Sequence, residues 1–168
     1  MTAIFDTRPS MACPQSFNLT AYVLDRASEL QDKNALSILS TESVENWTFG
    51  ALQSAVLGTA AGLLQTGVRP GQKIMLRLGN TVDFPIVYLA AIAVGIQPIP
   101  LSAQLTRDEL ENLCKVVEPD AVAIDPTLVF PAKNNMIQIP LDELQKMQAL
   151  PAVSYTMGDK DRLAYLVF

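Results

Sequence analysis

Residues Lys73–Leu101, KIMLRLGNTVDFPIVYLAAIAVGIQPIPL, carry the clearest evidence for the fold of this chain. The first part, 73–78, follows the turn dipeptide Pro70-Gly71 and predicts a strand. The charge-poor segment 82–95 predicts a buried helix, because its only proline falls near the first turn. Residues 96–101 predict a second short strand, and two prolines place it at a sheet edge or at a strand end. A strand, a helix and a strand in succession predict a parallel crossover unit.

The same alternation continues after this stretch. Thr106 and Glu109 have the spacing of a capping box for a helix that Pro119 ends, and Ala121–Asp125 predicts the next strand. The remaining predicted elements are a loop or broken helix over 126–136, a strand over 137–139, a helix over 142–147, a polar connector over 151–161 and a strand over 162–168.

Helix and hairpin patterns come before the stretch. Apolar residues at helical spacing predict an amphipathic helix over 17–31. Two period-two segments, 35–40 and 44–47, flank a polar turn and predict a β-hairpin. Thr48 then has the position of an N-cap, and Gly67 has that of the glycine that follows a helix.

Together these elements predict an α/β fold. Its mostly parallel, doubly wound sheet would carry helices on both faces and would be preceded by the short β-hairpin. The chain ends on the apolar segment Arg162–Phe168 without a turn, a cap or a polar tail. We therefore expect a truncated lobe of a larger domain, cut close to where doubly wound sheets place their ligand loop.

Composition narrows the function classes. The chain has 168 residues, 49% of them hydrophobic and 17% charged, so it has enough apolar material for one sizeable core. The net charge of −5, without a cluster of lysines and arginines, argues against a nucleic-acid partner. Because histidine is absent, a histidine-based zinc site and a Ser-His-Asp triad are excluded.

Compartment signals favour the cytoplasm. Cys13 and Cys114 lie far apart and form no disulfide framework. The start of the chain lacks the apolar middle region of a secretory signal, and residues 1–16 are expected to form a flexible leader. Phe84–Ile96 is uncharged but has only 13 residues, whereas a membrane-spanning helix needs about 20.

Few residues carry a chemical signal. The glycines match neither phosphate-loop pattern, and a nucleophile elbow is missing. Asn80 follows a strand, where it would either bind a ligand or make an Asx turn; Asp125 also follows a strand, and ordinary Asp-Pro turn chemistry is the simpler interpretation. Cys114 and the helical pair Gly58 and Gly62 are typical of packing. Three acidic residues fall in the first turns of one predicted helix, where the helix dipole stabilises negative charge, and a structural role is the simpler interpretation: Asp108, Glu109 and Glu111.

Three ordered segments carry a family resemblance. Trp47–Leu52, followed by a helix and Gly67–Lys73, is similar to a (T/S)Y-x-E-L segment. Leu78–Thr81 and Tyr88–Leu101 resemble a PN(S)…LAxLxAGAxxVPL segment. Asp161–Phe168 resembles the strand before a TSGTTGxPKG phosphate loop. From about residue 17 to 168 the chain thus resembles the start of the adenylate-forming, AMP-binding superfamily, which includes acyl- and aryl-CoA synthetases, luciferases and peptide-synthetase adenylation domains.

The resemblance implies an AMP-forming ligase. Such enzymes activate a carboxylic acid with ATP and Mg to an acyl-adenylate and then pass the acyl group to a thiol, that of coenzyme A or of a carrier protein. The resemblance implies that residues 17–168 are the N-terminal α/β lobe of such an enzyme, incomplete at its C-terminus. The fragment itself is expected to be an inactive scaffold. No catalytic, cofactor-binding or metal residue carries over, and none of these ligands is expected on this fragment. Ala51 stands where the family has an acid, and Gly79 where it has proline.

Two other interpretations remain open at this stage. One is a stand-alone flavodoxin- or receiver-like binding module, although residues 79–80 supply neither an acidic pair nor a phosphate loop. The other is a short natural paralogue that pairs with another chain, or forms an edge-paired dimer, through its last strand.

Overall fold

A computed structural model describes residues 12–131 and 136–168 of the chain. The strands and helices alternate along most of its length, as the sequence predicts. In chain order they are β1 (Ser16–Phe17), α1 (Leu19–Val23), β2 (Asn34–Leu39), β3 (Val44–Thr48), α2 (Phe49–Gln65), β4 (Lys73–Arg77), α3 (Asp83–Ala93), β5 (Gln97–Pro100), α4 (Arg107–Val117), β6 (Ala121–Ile124), β7 (Ile137–Pro140), α5 (Leu141–Met147) and β8 (Gly158–Asp159).

The centre of the molecule is a parallel sheet with the strand order β5-β4-β6-β7. Alternate side chains of β4 point to opposite faces. Ile74 and Leu76 pack with residues of α2, α3 and α5, whereas Met75 packs with residues of α4. Helices therefore cover both faces, which confirms the predicted doubly wound α/β class.

The N-terminal hairpin and the helix after it also form as predicted. β2 and β3 pair antiparallel, with Leu39 opposite Val44 next to the turn. The Thr48 hydroxyl accepts a hydrogen bond from the Ala51 amide at 3.2 Å, so Thr48 is the N-cap of α2. Gly67 has a φ of 101°, a left-handed conformation that glycine adopts without strain.

The glycines of α2 bring a second helix unusually close. A Cβ atom built on Gly58 would lie 2.8–2.9 Å from the backbone carbonyl oxygens of Met147, Gln148 and Leu150, at and just after the end of α5. At Gly62 an added Cβ would collide with the Met147 side chain. The packing role predicted for this glycine pair is confirmed.

The first helix is shorter than its pattern predicts. The prediction of a helix over 17–31 is wrong, because α1 ends at Val23 and turns follow it. Leu24 and Ala27 stay buried, so the apolar spacing reports burial correctly but not the backbone conformation. The carbonyl of Gln31 accepts a hydrogen bond from the Gly50 amide at the start of α2. The backbone at Gln31 is therefore bonded to α2 and does not continue the first helix.

Two predictions about helix and strand ends are also wrong. Thr81 does not cap α3; its hydroxyl donates to the Asp83 carboxylate at 3.2 Å, and Val82 occupies the cap position without a side-chain bond. The predicted strand over 162–168 is not a regular strand. The segment runs beside β5, and among the described hydrogen bonds one joins the two, from the Leu166 amide to the Pro98 carbonyl at 3.2 Å. β5 thus lies at the edge of the parallel sheet, as its prolines predict.

The connector over 151–161 contains a strand that the sequence did not predict. Gly158 and Asp159 form β8, which pairs antiparallel with Ser16 and Phe17 of β1. The predicted leader, residues 1–16, falls mostly on 1–11, which lie outside the described residues.

Candidate functional site

The strand order creates a crevice at the carboxyl edge of the sheet. The chain passes from β4 to β5 on one side and then returns to β6 on the other side of β4. Doubly wound sheets bind ligands where the strand order reverses in this way, outside the carboxyl ends of the strands. We call this place the carboxyl-edge crevice; its rim consists of Gly79 and Asn80 after β4 and Asp125 after β6.

Asp125 lies at the crevice but is engaged in a turn. Its Oδ1 accepts hydrogen bonds from the Thr127 amide at 2.9 Å and from the Thr127 hydroxyl at 2.7 Å. Its Oδ2 faces Gly79 and would lie 3.8 Å from a Cβ atom at that position. The structure thus brings Gly79 and Asp125 together. One carboxylate oxygen of Asp125, Oδ1, makes the turn contacts that the sequence predicts, and the other, Oδ2, does not take part in the turn.

Asn80 projects into solvent at the same rim. Neither an Asx turn nor another hydrogen bond of its side chain occurs within the described ranges, and the residue is exposed. It borders an open depression of about 220 Å³ together with Leu78, Gly79, Phe84 and Ala103. An unengaged amide with one donor and one acceptor group beside an apolar wall is suited to orienting a ligand and supplies neither a nucleophile nor a base.

Arg77 is the charged residue of this edge that sequence reasoning missed. It is 2% exposed at the end of β4. Its Nε donates to the Val129 carbonyl at 3.1 Å, Nη2 donates to the Leu105 carbonyl at 3.0 Å, and Nη1 donates to the Ser102 carbonyl. Burial lowers the pKa of the Arg77 guanidinium. The available signal was an arginine that follows three apolar residues, 74–76, of a predicted strand.

Asp83 is a second buried polar residue that the sequence did not single out. It lies in the first turn of α3 and is 4% exposed. Its Oδ1 accepts from the Gln148 amide at 2.9 Å and its Oδ2 accepts from the Gln145 amide at 3.3 Å. The carboxylate thus joins α3 to the end of α5, which is a structural role.

The acids of α4 serve the helix. Glu109 accepts from both the Thr106 backbone amide and the Thr106 hydroxyl at 2.7 Å, which completes the predicted capping box. These hydrogen bonds, the backbone one first, lower the pKa of Glu109. Cys114 is buried in the core with its Sγ 3.8 Å from the Met75 Sδ, as expected for a packing residue.

The donor set of the crevice does not fit a metal or a triphosphate by itself. Within residues 12–131 and 136–168, no three side chains of the His, Cys, Asp and Glu types gather into a metal-binding group. Asp125 supplies the carboxylate at the rim, and no glycine-rich loop aims backbone amides at an anion. No helix among the described residues has the length and apolar character needed to cross a membrane.

Comparison with known sequences gives a consistent result. The profile of the family described as AMP-binding enzyme matches residues 23–165. The chain is 27% identical over 128 residues to 4-coumarate-CoA ligase-like 9 of Oryza sativa subsp. japonica, covering 73% of this chain and 23% of that protein. Over 66 residues it is 39% identical to the 4-hydroxybenzoate-CoA/benzoate-CoA ligase of Rhodopseudomonas palustris, covering 39% of this chain and 12% of that enzyme. The chain therefore spans less than a quarter of the length of these relatives.

Solved structures share the fold. An artificially fused adenylation-PCP di-domain, NpsA-ThdA from Klebsiella oxytoca, superposes with a TM-score of 0.79 at 16% identity, over 92% of this chain and 29% of that one. At this level of identity the similarity establishes the arrangement of strands and helices.

Proposed function

Because this chain belongs to the AMP-binding enzyme family, we propose that it is the N-terminal lobe of an AMP-forming acid-thiol ligase. The overall reaction couples a carboxylic acid and ATP to an acyl-adenylate with release of pyrophosphate, and a thiol then displaces AMP to give a thioester. The observation that carries the proposal is the family match over 23–165, joined to a parallel sheet whose strand order reverses at β4. The 4-coumarate- and benzoate-CoA ligases named above support an acid-CoA ligase as the parent enzyme.

We propose that residues 17–168 act in this ligase as a scaffold. The described residues supply a buried sheet and a segment, 163–168, that runs beside β5 and ends at Phe168, which lines a cavity together with Leu101 and Ser102. Among these residues, no three His, Cys, Asp or Glu side chains gather into a metal-binding group. ATP, Mg and coenzyme A or a carrier-protein thiol would then be bound mainly by the rest of the enzyme. The 168-residue chain alone is therefore proposed to be inactive, and the parent enzyme to work in the cytoplasm on a small-molecule acid.

The test is to read the coding sequence beyond the codon for Phe168 and to assay both forms. We expect an open frame with a Thr-, Ser- and Gly-rich loop that contains Lys-Gly. Acid-dependent exchange of labelled pyrophosphate into ATP is expected from the longer protein and not from the 168-residue chain. A stop codon after Phe168, or exchange catalysed by the short chain, would contradict the proposal.

We also propose that the 168-residue chain, when isolated, forms an edge-paired dimer. Outside the core, segment 163–168 presents the apolar side chains of Leu163, Tyr165, Val167 and Phe168, which are 42–67% exposed. An apolar segment with a largely unpaired backbone is a template for pairing with a second copy.

For this dimer we expect Val167→Lys to weaken self-association by about tenfold or more, because a charge on an edge opposes strand pairing. Analytical ultracentrifugation over a concentration series measures the effect. Leu39→Lys is the matched control, because Leu39 is 74% exposed and lies in the hairpin, away from segment 163–168. This substitution should leave the dimer intact. A wild-type chain that stays monomeric at all concentrations would refute this proposal.

A further inference from the structure

Arg77 joins two loops on opposite sides of the carboxyl-edge crevice. Ser102–Leu105 follows β5 and 125–131 follows β6, and the guanidinium donates to carbonyls of both loops. We propose that Arg77 is a positioning residue of the ligase, which holds these two loop backbones in place before ligand binds. The expected effect of Arg77 on enzyme kinetics rests on the proposed function, whereas its expected effect on the order of the two loops does not.

The loops have few other polar ties. Within Ser102–Leu105 the described hydrogen bonds are local, from the Gln104 amide to the Ser102 hydroxyl and from the Leu105 amide to the Ser102 carbonyl. In the other loop, the Thr127 and Leu128 amides bond back to Asp125. One backbone hydrogen bond joins the second loop to β4, from the Asp125 amide to the Arg77 carbonyl directly after β6. The other described hydrogen bonds between these loops and β4 come from the Arg77 side chain.

Apolar contacts anchor the loops without setting the path of their backbones. Leu105 and Phe130 pack against the core between the sheet and α4. Apolar packing is non-directional, so it tolerates small slides of the chain, whereas a hydrogen bond specifies where a carbonyl must point. The guanidinium supplies directional contacts to both loops from one rigid plane.

The chemistry of arginine explains why this residue type suits the position. Its flat fork of five N–H donors reaches three carbonyls in different directions, which the compact ammonium of lysine does not. Burying an unpaired cation is costly, and no carboxylate among the described residues contacts Arg77. An aliphatic side chain would fill this buried position at the end of β4 without that cost, so the carbonyl contacts are the feature that requires arginine.

A binding consequence follows from preorganisation. If the loops are already ordered, ligand binding at the crevice does not have to order them. Removing Arg77 should therefore weaken binding more than it slows chemistry in the bound complex, which distinguishes a positioning role from general destabilisation.

The structural arm of the test uses hydrogen-deuterium exchange on the 168-residue chain. In Arg77→Met we expect amides of 102–106 and 127–131 to exchange about tenfold faster, with β6 unchanged, because local opening becomes easier. Arg77→Lys should give an intermediate rate. The control is Lys73→Met, at the other end of β4, because Lys73 Nζ donates to the Val117 carbonyl at 2.7 Å and contacts neither loop.

The inference is overturned if folded Arg77→Met protects both loops as the wild type does, or if Lys73→Met accelerates them equally. Should Arg77→Met not fold, Arg77→Lys decides: faster exchange confined to the two loops supports the proposal, and unchanged exchange overturns it.

The kinetic arm uses the longer ligase that contains these residues. We expect Arg77→Met to raise the KM for ATP or for the acid about fivefold or more, with kcat changed by less than about twofold, and Arg77→Lys to recover part of the loss. A fall in kcat with both KM values unchanged overturns the binding consequence. An inactive wild-type ligase would instead refute the proposed function, and the exchange experiment would still decide whether Arg77 positions the loops.

Discussion

Replacing Gly58 by alanine is expected to lower the free energy of unfolding by about 2 to 3 kcal/mol, towards the upper end of what overpacking typically costs. A glycine-to-alanine substitution inside a helix ordinarily raises the free energy of unfolding, so the expected change at Gly58 has the opposite sign. In an exposed helix interior, alanine is more stable than glycine by about 1 kcal/mol. Here the new Cβ would lie 2.8–2.9 Å from three backbone carbonyl oxygens.

Backbone atoms cannot move aside as a side chain does. The three carbonyls belong to Met147, Gln148 and Leu150, so α5 as a whole would have to shift away from α2. That shift would disturb the contacts of Leu144 and the bonds from Gln145 and Gln148 to the buried carboxylate of Asp83.

Urea denaturation followed by circular dichroism measures this effect, with one control and one comparison variant in the same helix. At Gly50 the added Cβ would lie 3.3 Å from the Gln31 carbonyl, so Gly50→Ala should cost much less. At Gly62 the added Cβ would meet the Met147 side chain as far back as its Cβ, which is fixed to the backbone of α5, so Gly62→Ala should also be clearly destabilising. A Gly58→Ala protein as stable as the wild type would show that α5 does not pack against α2 in this way.

Replacing Asn18 by alanine is expected to lower the free energy of unfolding by a similar amount, about 2 to 4 kcal/mol, from a lost cap and unsatisfied buried carbonyls. Asn18 is 1% exposed and caps α1, with its Oδ1 accepting from the Ala21 amide at 3.1 Å. Its Nδ2 donates to the carbonyls of Ile92, Ala93 and Thr156, each at 3.0 Å. One amide group thus joins α1, the end of α3 and the connector before β8.

Aspartate at the same position separates the two roles. Aspartate is as good an N-cap as asparagine, so a residue that acted only as a cap would tolerate the change. An ionised carboxylate, however, would point at three carbonyl oxygens without a proton to donate. We therefore expect Asn18→Asp to be at least as destabilising as Asn18→Ala near neutral pH.

Thr48 provides the matched control for this prediction. It caps α2 through the Ala51 amide, and its side chain makes no described bond to a distant element. Thr48→Asp should leave stability nearly unchanged, while Thr48→Ala should cost about 1 kcal/mol. Urea denaturation of the four variants makes the comparison, and equal behaviour of Asn18→Asp and Thr48→Asp would refute the joining role of Asn18.

The candidate site was only partly predictable. Asn80 and Asp125 were found because a polar residue directly after a buried strand lies at the carboxyl edge of a parallel sheet. Arg77 was missed because its three carbonyl partners lie 25–52 residues away along the chain. No local spacing encodes such contacts, which exist only after β5 and β6 have taken their places on either side of β4.

Sequence patterns are sufficient to predict the α/β class, the hairpin, the cap of α2 and the capping box of α4. These features depend on periodicity and on side-chain-to-backbone bonds that span three or four residues, so they can be read locally. Three other features become visible only in the folded chain: α1 ends at Val23, Gly158 and Asp159 pair with β1, and Asn18 is buried. Each of these depends on a partner far along the chain, whose position is set by packing of the whole sheet and its helices.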